Sequence, residues 1–546
     1  MSDTTAAPPL KPPEYLPKII TVLREGYGLA DLRADVMAGL TVAIVALPLS
    51  MAIAIASGVG PERGLFTAII GGFLVSALGG SRYQIGGPAG AFIVLVAACV
   101  VQIGVPGLLL ATMISGVVLA VAGWMRLGTY VRYIPYPVTL GFTAGIALII
   151  FSSQIKDLLG LSLSGAEPSE ILPKYETLWG ALGTLNWAAL ALSVATVAMI
   201  VGIKKLRPGW PNLLIAVVVA SLAALLLHMP AETIGSKFGE LPRLPPSPSL
   251  PPMGKDALLA ALPWGMQFAL LGAIESLLSA VVADGMSGAR HRSNAELIGQ
   301  GLANIGSALF GGICVTGTIA RTATNVRAGS RGPVSGILHS VFVLVFMLVA
   351  APLASAIPLA ALAGVLAIVA WNMAEKEAIW TLLRVSRADA VVLIVTFLLV
   401  VFRDLTTGIF VGFALGGIVF IHRMSEAAGA KPEAEPEVED RHKGRVLVHL
   451  HGPFFFGAAA QIGSVLDQIA AHPRQFVLDF KDVAYIDSSG AHALVLFAEK
   501  LKRKGETLYV LGTDMAQRKV LTGVGLGDDL AHYLPDITAL DALGET

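Results

Sequence analysis

Charge is what this sequence has least of. Only 14% of its 546 residues are Asp, Glu, Lys or Arg, and 55% are hydrophobic, whereas charged residues make up about a quarter of an ordinary soluble chain. That shortage excludes an ordinary soluble globular protein. The charges that do occur cancel, 38 basic against 38 acidic, so no net field draws the chain to nucleic acid. Cysteine is nearly absent too. Cys99 and Cys314 both lie in apolar surroundings, which leaves no disulfide framework and no cysteine metal site. His291, His339 and His422 do not stand at metal-ligand spacing, and there is no nucleophile elbow, phosphate loop or HExxH. No metal, cofactor or enzymatic activity is expected.

The scarce charges are unevenly spread. Residues 431 to 546 hold 29 of them, 12 basic and 17 acidic, while the first 430 hold only 47. Two bodies follow, a large membrane domain and a small, acidic soluble one. Residues 1–32 contain five prolines, all within the first 17 positions, with Lys11, Lys18 and Arg24, and no apolar core before a cleavage site. This stretch reads as a cytoplasmic tail rather than a signal peptide.

Apolar runs begin near Val36, Gly64, Gly86, Pro106, Pro135, Trp187, Pro211, Ala257, Ala295, Thr318, Pro333, Pro358, Asp389 and Thr406. A span needs about 20 apolar residues, or fewer if the helix is broken and packed in protein. About fourteen spans are therefore expected over 33–425. With the N-terminus inside, the inner loops and tail carry 18 Lys and Arg and the outer loops seven, the bias expected of a chain with both termini in the cytoplasm. The bias alone does not separate twelve spans from fourteen.

The proline-dense loop from Met229 to Lys255 divides the spans into halves of about seven. The third span of the first half follows Gly79-Gly80-Ser81-Arg82-Tyr83-Gln84-Ile85-Gly86-Gly87-Pro88. Its counterpart in the second half follows Gly311-Gly312-Ile313-Cys314-Val315-Thr316-Gly317. Glycine-rich interruptions at corresponding places in two halves point to a binding site made of broken helices, although tight turns would read the same way.

Ionisable residues inside apolar spans are functional candidates by default. Glu275 lies mid-span, where burial disfavours its charge and suits it to carry a proton; a carboxyl hydrogen-bonded to a neighbouring helix is the structural alternative. Ser279, one turn on, could share a cation site with it. Arg321 lies just past the second glycine break, where a guanidinium and helix N-terminal amides together would attract an anion; pairing with Glu275 is the alternative there. In the first half Gly86, Gly87, Pro88, Ala89, Gly90 and Ala91 offer the facing helix start. Asp35, Asp284 and Glu296 lie nearer span ends and read as interfacial.

After an acidic linker at 426–443, strands at Val446–Leu450, Phe476–Phe480 and Leu508–Leu511 alternate with helices at Ala458–Ala470 and Ala491–Lys504. That is a small α/β domain with a parallel or mixed sheet over 444–546. Between strand and helix stands Asp487-Ser488-Ser489-Gly490. The serine there reads as a helix cap supported by Asp487, or as a phosphorylation switch.

The combination of Gly-Pro-Ala-Gly-Ala at 87–91, Ile-Glu-Ser-Leu-Leu-Ser-Ala at 274–280, Ala-Arg-Thr-Ala-Thr-Asn at 320–325 and the terminal Asp-Ser-Ser-Gly resembles the SulP sulfate permeases and multifunctional anion exchangers. Within them the central stretches look most like the bacterial C4-dicarboxylate branch. The resemblance covers about residues 20 to 545. It implies fourteen transmembrane segments in a seven-plus-seven inverted repeat, with a core domain moving against a gate domain, followed by a cytoplasmic STAS domain. It also implies a homodimer in the bacterial inner membrane, a possible cytoplasmic partner of the STAS domain, and phosphorylation at Ser488 or Ser489. Substrate would be held at Gly87, Pro88, Ala89, Gly90, Ala91, Thr318, Ile319, Ala320, Arg321 and Thr322. Sodium-coupled bicarbonate members carry Asp where Glu275 stands, Thr where Ile319 stands and no Arg at 321, which argues for a proton as the coupling ion. Many members place Gln after the first-span proline, where this chain has Leu49 after Pro48. The expected function is proton-coupled uptake of sulfate or a C4-dicarboxylate, with a sodium-coupled or uncoupled bicarbonate exchanger or channel as the alternative.

Overall fold

A computed structural model describes residues 14–130, 135–165, 167–168, 170–207, 210–428, 445–454 and 475–543. The chain forms two compact units, Met1–Phe413 and Ala414–Thr546.

In the first unit a short helix, α1 (Lys18–Arg24), precedes α2 (Leu29–Ala56). Helices α3 (Pro61–Phe66) and α4 (Gly72–Leu78) are joined by a π-helical turn at Thr67–Gly71. A two-residue strand, β1 (Gly86–Gly87), and a 3-10 turn at Gly90–Phe92 lead into α5 (Ile93–Trp124), then α6 (Tyr136–Leu159), α7 (Ile171–Gly180), α8 (Trp187–Leu206) and α9 (Asn212–Leu226). The connector contains α10 (Ile234–Phe238). The second half then runs α11 (Lys255–Ser287), α12 (Ser293–Leu309), β2 (Thr316–Gly317), α13 (Ile319–Arg327), α14 (Val334–Ala354), α15 (Leu359–Met373), α16 (Lys376–Val385), α17 (Arg387–Phe402) and α18 (Leu405–Ala428), the unit boundary falling within α18 after Phe413.

Every one of the fourteen apolar runs falls on one of these helices or just ahead of it. Pro135, Pro211, Pro333 and Pro358 cap the helices they precede, since proline cannot extend a helix backwards but fits its start. The third and fourth spans are two helices that follow one another across a sharp kink inside α5. Gly104 in α5 takes φ 70°, a left-handed value cheap only for glycine, and Pro106 two residues on removes a further donor. Among the described residues eight helices are long and apolar enough to cross a membrane; the shorter ones are held by their neighbours. The protein is an α-helical polytopic membrane protein built as seven plus seven segments.

These helices pack as two bundles, α2–α5 with α11–α14, and α6–α9 with α15–α17, the start of α18 lying against α17 and α6. Close approach depends on small residues, as expected where lipid gives helices no hydrophobic drive to associate. Gly116 on α5 faces Gly301 on α12, and a methyl group on either would lie 2.5 Å from the other's carbonyl oxygen. At the centre of the first bundle β1 and β2 pair antiparallel, Gly86 opposite Gly317 and Gly87 opposite Thr316. The two glycine breaks are thus hydrogen-bonded to each other.

The N-terminal tail is anchored from residue 15 onward. Tyr15 donates to the carbonyl of Trp124 at 3.0 Å, Lys18 Nζ to that of Arg290 at 2.9 Å, and Arg292 donates to Leu16 O and Thr21 Oγ1, both at 2.8 Å. Among these contacts, burial and the nearby Arg292 and Arg82 cations push the Lys18 ammonium below its usual range.

The second unit holds a parallel sheet in the order β3 (Arg445–Phe454), β4 (Gln475–Ile486), β5 (Thr507–Leu511), β6 (His532–Leu534). Helices α19 (Ser488–Arg503), α20 (Met515–Val524) and α21 (Ile537–Leu543) accompany it. Phe454, Phe476, Phe480, Leu494, Phe497 and Val510 form its core. The helix expected at Ala458–Ala470 and most of the linker lie outside the described residues. Strand β6 and helix α20 had no counterpart in the sequence reading.

One expectation is corrected here and another refined. Asp487, not a serine, caps α19, its Oδ1 accepting from Gly490 N at 2.7 Å; a carboxylate suits a helix N-terminus better than a hydroxyl because it also meets the dipole. Ser488 and Ser489 are the first two helical residues and are exposed. Asp35 and Glu296 lie near the starts of α2 and α12, as expected of residues at span ends, but they are not solvated there. Both are fully buried and saturated with donors, Asp35 by Tyr27 Oη at 2.7 Å and the amides of Arg331 and Gly332 at 2.5 and 3.2 Å. Tyr27, lying before α2, is correspondingly held above the usual phenol range by burial and by this bond. Asp284 keeps an end position, where it accepts from His291 N at 2.9 Å.

A candidate anion site between two helix starts

Both glycine breaks end at a helix start, and neither start has a side-chain cap. In the first half Ala89 is extended and the chain turns through Gly90–Phe92 into α5. In the second half Thr318 leads into α13, but its hydroxyl donates to Ile85 O at 3.3 Å instead of capping its own helix. The N-terminal amides of α5 and α13 thus keep their positive ends available, the arrangement that binds anions.

Arg321 lies on the first turn of α13 and is 1% exposed. Its Nη2 donates to Ser50 Oγ on α2 at 3.1 Å and to Pro88 O at 3.3 Å, while its Nε and Nη1 have no hydrogen-bond partner among the described residues. Gly87 makes this position possible, because a methyl group there would overlap Nη1. A guanidinium buried with two nitrogens unpaired is expensive unless something negative completes it.

Pro88, Ala89 and Ala91 are buried and Gly90 is half-buried, with Ile150 of α6 and Met373 of α15 its nearest neighbours across the gap to the other bundle. Thr318 and Thr322 are buried, Ile319 is half-buried and Ala320 is exposed. The ten residues expected around a substrate therefore cluster at the junction of β1, β2 and the two helix starts.

Glu275 is 6% exposed on α11, and among the described residues its carboxyl has neither a side-chain hydrogen bond nor an ion pair. Both structural alternatives, a bond to a neighbouring helix and a pair with Arg321, are absent. The Ser279 hydroxyl donates to Thr322 Oγ1 at 3.1 Å and ties α11 to α13. No cluster of metal-ligating side chains occurs among the described residues.

The sequence reading missed the scaffold behind the site. Glu296 accepts from Gly80 N, Ser81 N and Gln84 Nε2 at 2.8, 2.9 and 2.9 Å. Gln300 donates to Val315 O, Asn304 donates to the same carbonyl at 2.9 Å, and Ser307 donates to Ile313 O at 2.7 Å. The signal was present as Glu296, Gln300, Asn304 and Ser307, one polar residue per turn along a single face of α12. Ser50 gave no signal, since a lone hydroxyl in an apolar helix usually bonds its own backbone.

Comparison with known proteins agrees with this architecture. Residues 32–396 match the Sulfate permease family and residues 435–537 match the STAS domain. The chain is 40% identical over 506 residues to YvdB of Bacillus subtilis (strain 168), covering 92% of this chain and 95% of that one. It is 31% identical over 523 residues to the bicarbonate transporter BicA of a Picosynechococcus species, covering 90% of each. In structure it is similar to the murine Slc26a9 anion transporter in the inward-facing state, with a TM-score of 0.84, 20% identity, and coverage of 100% of this chain and 96% of that one. A chain with these breaks, this buried arginine and a following STAS domain belongs to the sulfate permease family.

Proposed function

We propose that the protein is a secondary active transporter that takes up sulfate or a C4-dicarboxylate together with a proton, by alternating access of the α2–α5/α11–α14 bundle against the other. The observation that carries this reading is Arg321, buried between two uncapped helix starts with Nε and Nη1 unpaired. The charge arithmetic favours a divalent anion. One guanidinium and two helix termini of roughly half a unit each amount to about two positive charges. Glu275, without a partner, is the seat for the accompanying proton, which would offset the charge that enters. Gly87, Pro88, Ala89, Gly90, Ala91, Thr318, Ile319, Ala320, Arg321 and Thr322 would surround the anion.

We place the protein in the bacterial inner membrane as a homodimer with both termini cytoplasmic, in keeping with the bias of Lys and Arg between loops. Exposed Ser488 and Ser489 at the start of α19 would be accessible to a kinase.

Purified protein in liposomes, offered labelled sulfate, fumarate or bicarbonate under an imposed proton or sodium gradient, tests the reading. Proton-stimulated uptake of sulfate or fumarate is expected, abolished in Arg321→Gln and no longer proton-stimulated in Glu275→Gln. Sodium-stimulated bicarbonate uptake would transfer the assignment to the function that BicA's name carries.

A further inference from the structure

The proton-coupled reading leaves a gap, because Glu275 and Arg321 do not touch. We propose that Gln84 is a positioning residue that conveys the state of the Glu275 turn to the anion site; the proposal rests on that reading. Gln84 is 3% exposed and sits two residues before β1. Its Nε2 donates to Ser276 Oγ at 2.8 Å, to Ser276 O at 3.1 Å and to Glu296 Oε1 at 2.9 Å. Ser276 directly follows Glu275, and its own hydroxyl donates to Glu296 at 3.3 Å.

The neighbouring residue is tied to the other end of the same turn. Ile85 N donates to Thr322 Oγ1 at 3.1 Å, the oxygen that also accepts from Ser279. Ile85 O in turn accepts from Thr318 N at 3.0 Å. The turn from Glu275 to Ser279 thus grips residues 84 and 85 at both ends, and two residues later the same segment presents Gly87 to Arg321. The Gln84 amide is also packed against β2. It lies so closely over Gly317 that a methyl group there would overlap it.

Few other charges reach Glu275. Of the elements packed on α11, α5 carries no charged side chain and only Cys99 as a titratable one, and β2 carries neither. From α13 come Arg321 and Arg327, and from α12 comes Glu296. Arg321 is held by Ser50 and Pro88, and Glu296 is held by four donors. A displacement of the Glu275 turn on protonation therefore has Gln84, through Ser276, and Thr322, through Ser279, as its hydrogen-bonded routes to the anion site. Coupling of two ligands through such an element is reciprocal and typically worth 5- to 150-fold in affinity, about 1–3 kcal/mol.

The test uses the full-length protein in liposomes with labelled sulfate, fumarate and bicarbonate, KM and kcat being measured across pH. In the native protein KM is expected to change about tenfold or more with pH. In Gln84→Met this dependence flattens to within about twofold, and adding Glu275→Gln changes it no further, the non-additivity that marks a shared route. Ser276→Ala, which removes the hydroxyl that accepts from Gln84 and donates to Glu296 but leaves the backbone acceptor in place, gives the same flattening in a variant with less risk to folding. Retention of the native pH profile by either variant, with melting temperature and kcat near native, overturns the proposal while leaving proton coupling intact. A native protein whose KM ignores pH, or a Glu275→Gln variant that keeps the profile, overturns the proton-coupled reading and this proposal with it.

Discussion

Glu296 is a buried carboxylate whose neighbours all donate to it, so its removal strands donors rather than merely losing a bond. Glu296→Ala leaves Gly80 N, Ser81 N and Gln84 Nε2 without that acceptor, at roughly 1–3 kcal/mol for each stranded group. The expected result is a large fall in the melting temperature of the detergent-solubilised protein. Glu296→Gln, which keeps an acceptor oxygen, should fall less; equal losses would mean that shape rather than hydrogen bonding holds the Gly79–Ser81 turn. Residues of this kind were hard to read. Arg321 and Glu275 stood out because nothing charged surrounds them in sequence, whereas Glu296 and Asp35 lie within four residues of Arg292 and Arg33 and so looked interfacial. Proximity to a charged loop along the chain does not reveal that a distant turn, Gly79–Ser81 in one case and Arg331–Gly332 in the other, folds over the position.

At the scale of elements, Tyr533 in β6 gives the second unit a testable alkaline limit. Burial, with a smaller contribution from Asp528 against the opposing Arg518, pushes its phenol up to about 12. The unfolded chain releases this proton near pH 10. Stability from this group is therefore complete below about pH 10 and is lost as pH rises toward 12. In the intact protein, Tyr533→Phe is expected to remove both a tyrosinate absorbance component titrating near pH 12 and the matching fall in melting temperature. A normal titration at that position would show that β6 does not seal the ring. Helices were legible wherever a proline or glycine opened an apolar run, as at Pro135, Pro333 and Pro358. The start of α2 was not, because Asp31, Arg33 and Asp35 interrupt its hydropathy although the helix begins at Leu29. Three-residue β6 is too short to show an alternating pattern, and α1, among prolines and charges, takes its stability from Gly79, Arg290 and Arg292 rather than from its own sequence.

For the whole molecule, the two thiols serve as reporters of integrity. Cys99 is 0% and Cys314 1% exposed, both inside the first bundle, with Cys314 Sγ 3.3 Å from Thr112 Oγ1. The folded protein should not react with a maleimide at either position, and both should label together as it unfolds on heating. Labelling of Cys99 alone before the main transition would mean that α5 opens independently of the bundle. Scarcity of charge, the two-body division and the paired breaks gave the architecture from sequence, because hydropathy is a sum over many residues. The site's interior depended on single polar atoms meeting across more than 200 residues, and no local pattern encodes such meetings.

Pairing of β1 with β2 also sets an order of events during synthesis. Gly86 and Gly87 leave the ribosome about 230 residues before Thr316 and Gly317, an interval of about 10–50 s at ordinary elongation rates. For that time the first half sits in the bilayer with a strand of unanswered backbone groups, where such groups cost several kcal/mol each. A nascent chain stalled before residue 316 should therefore be retained by the insertion machinery, and the anion site is assembled only when the second half arrives to close it.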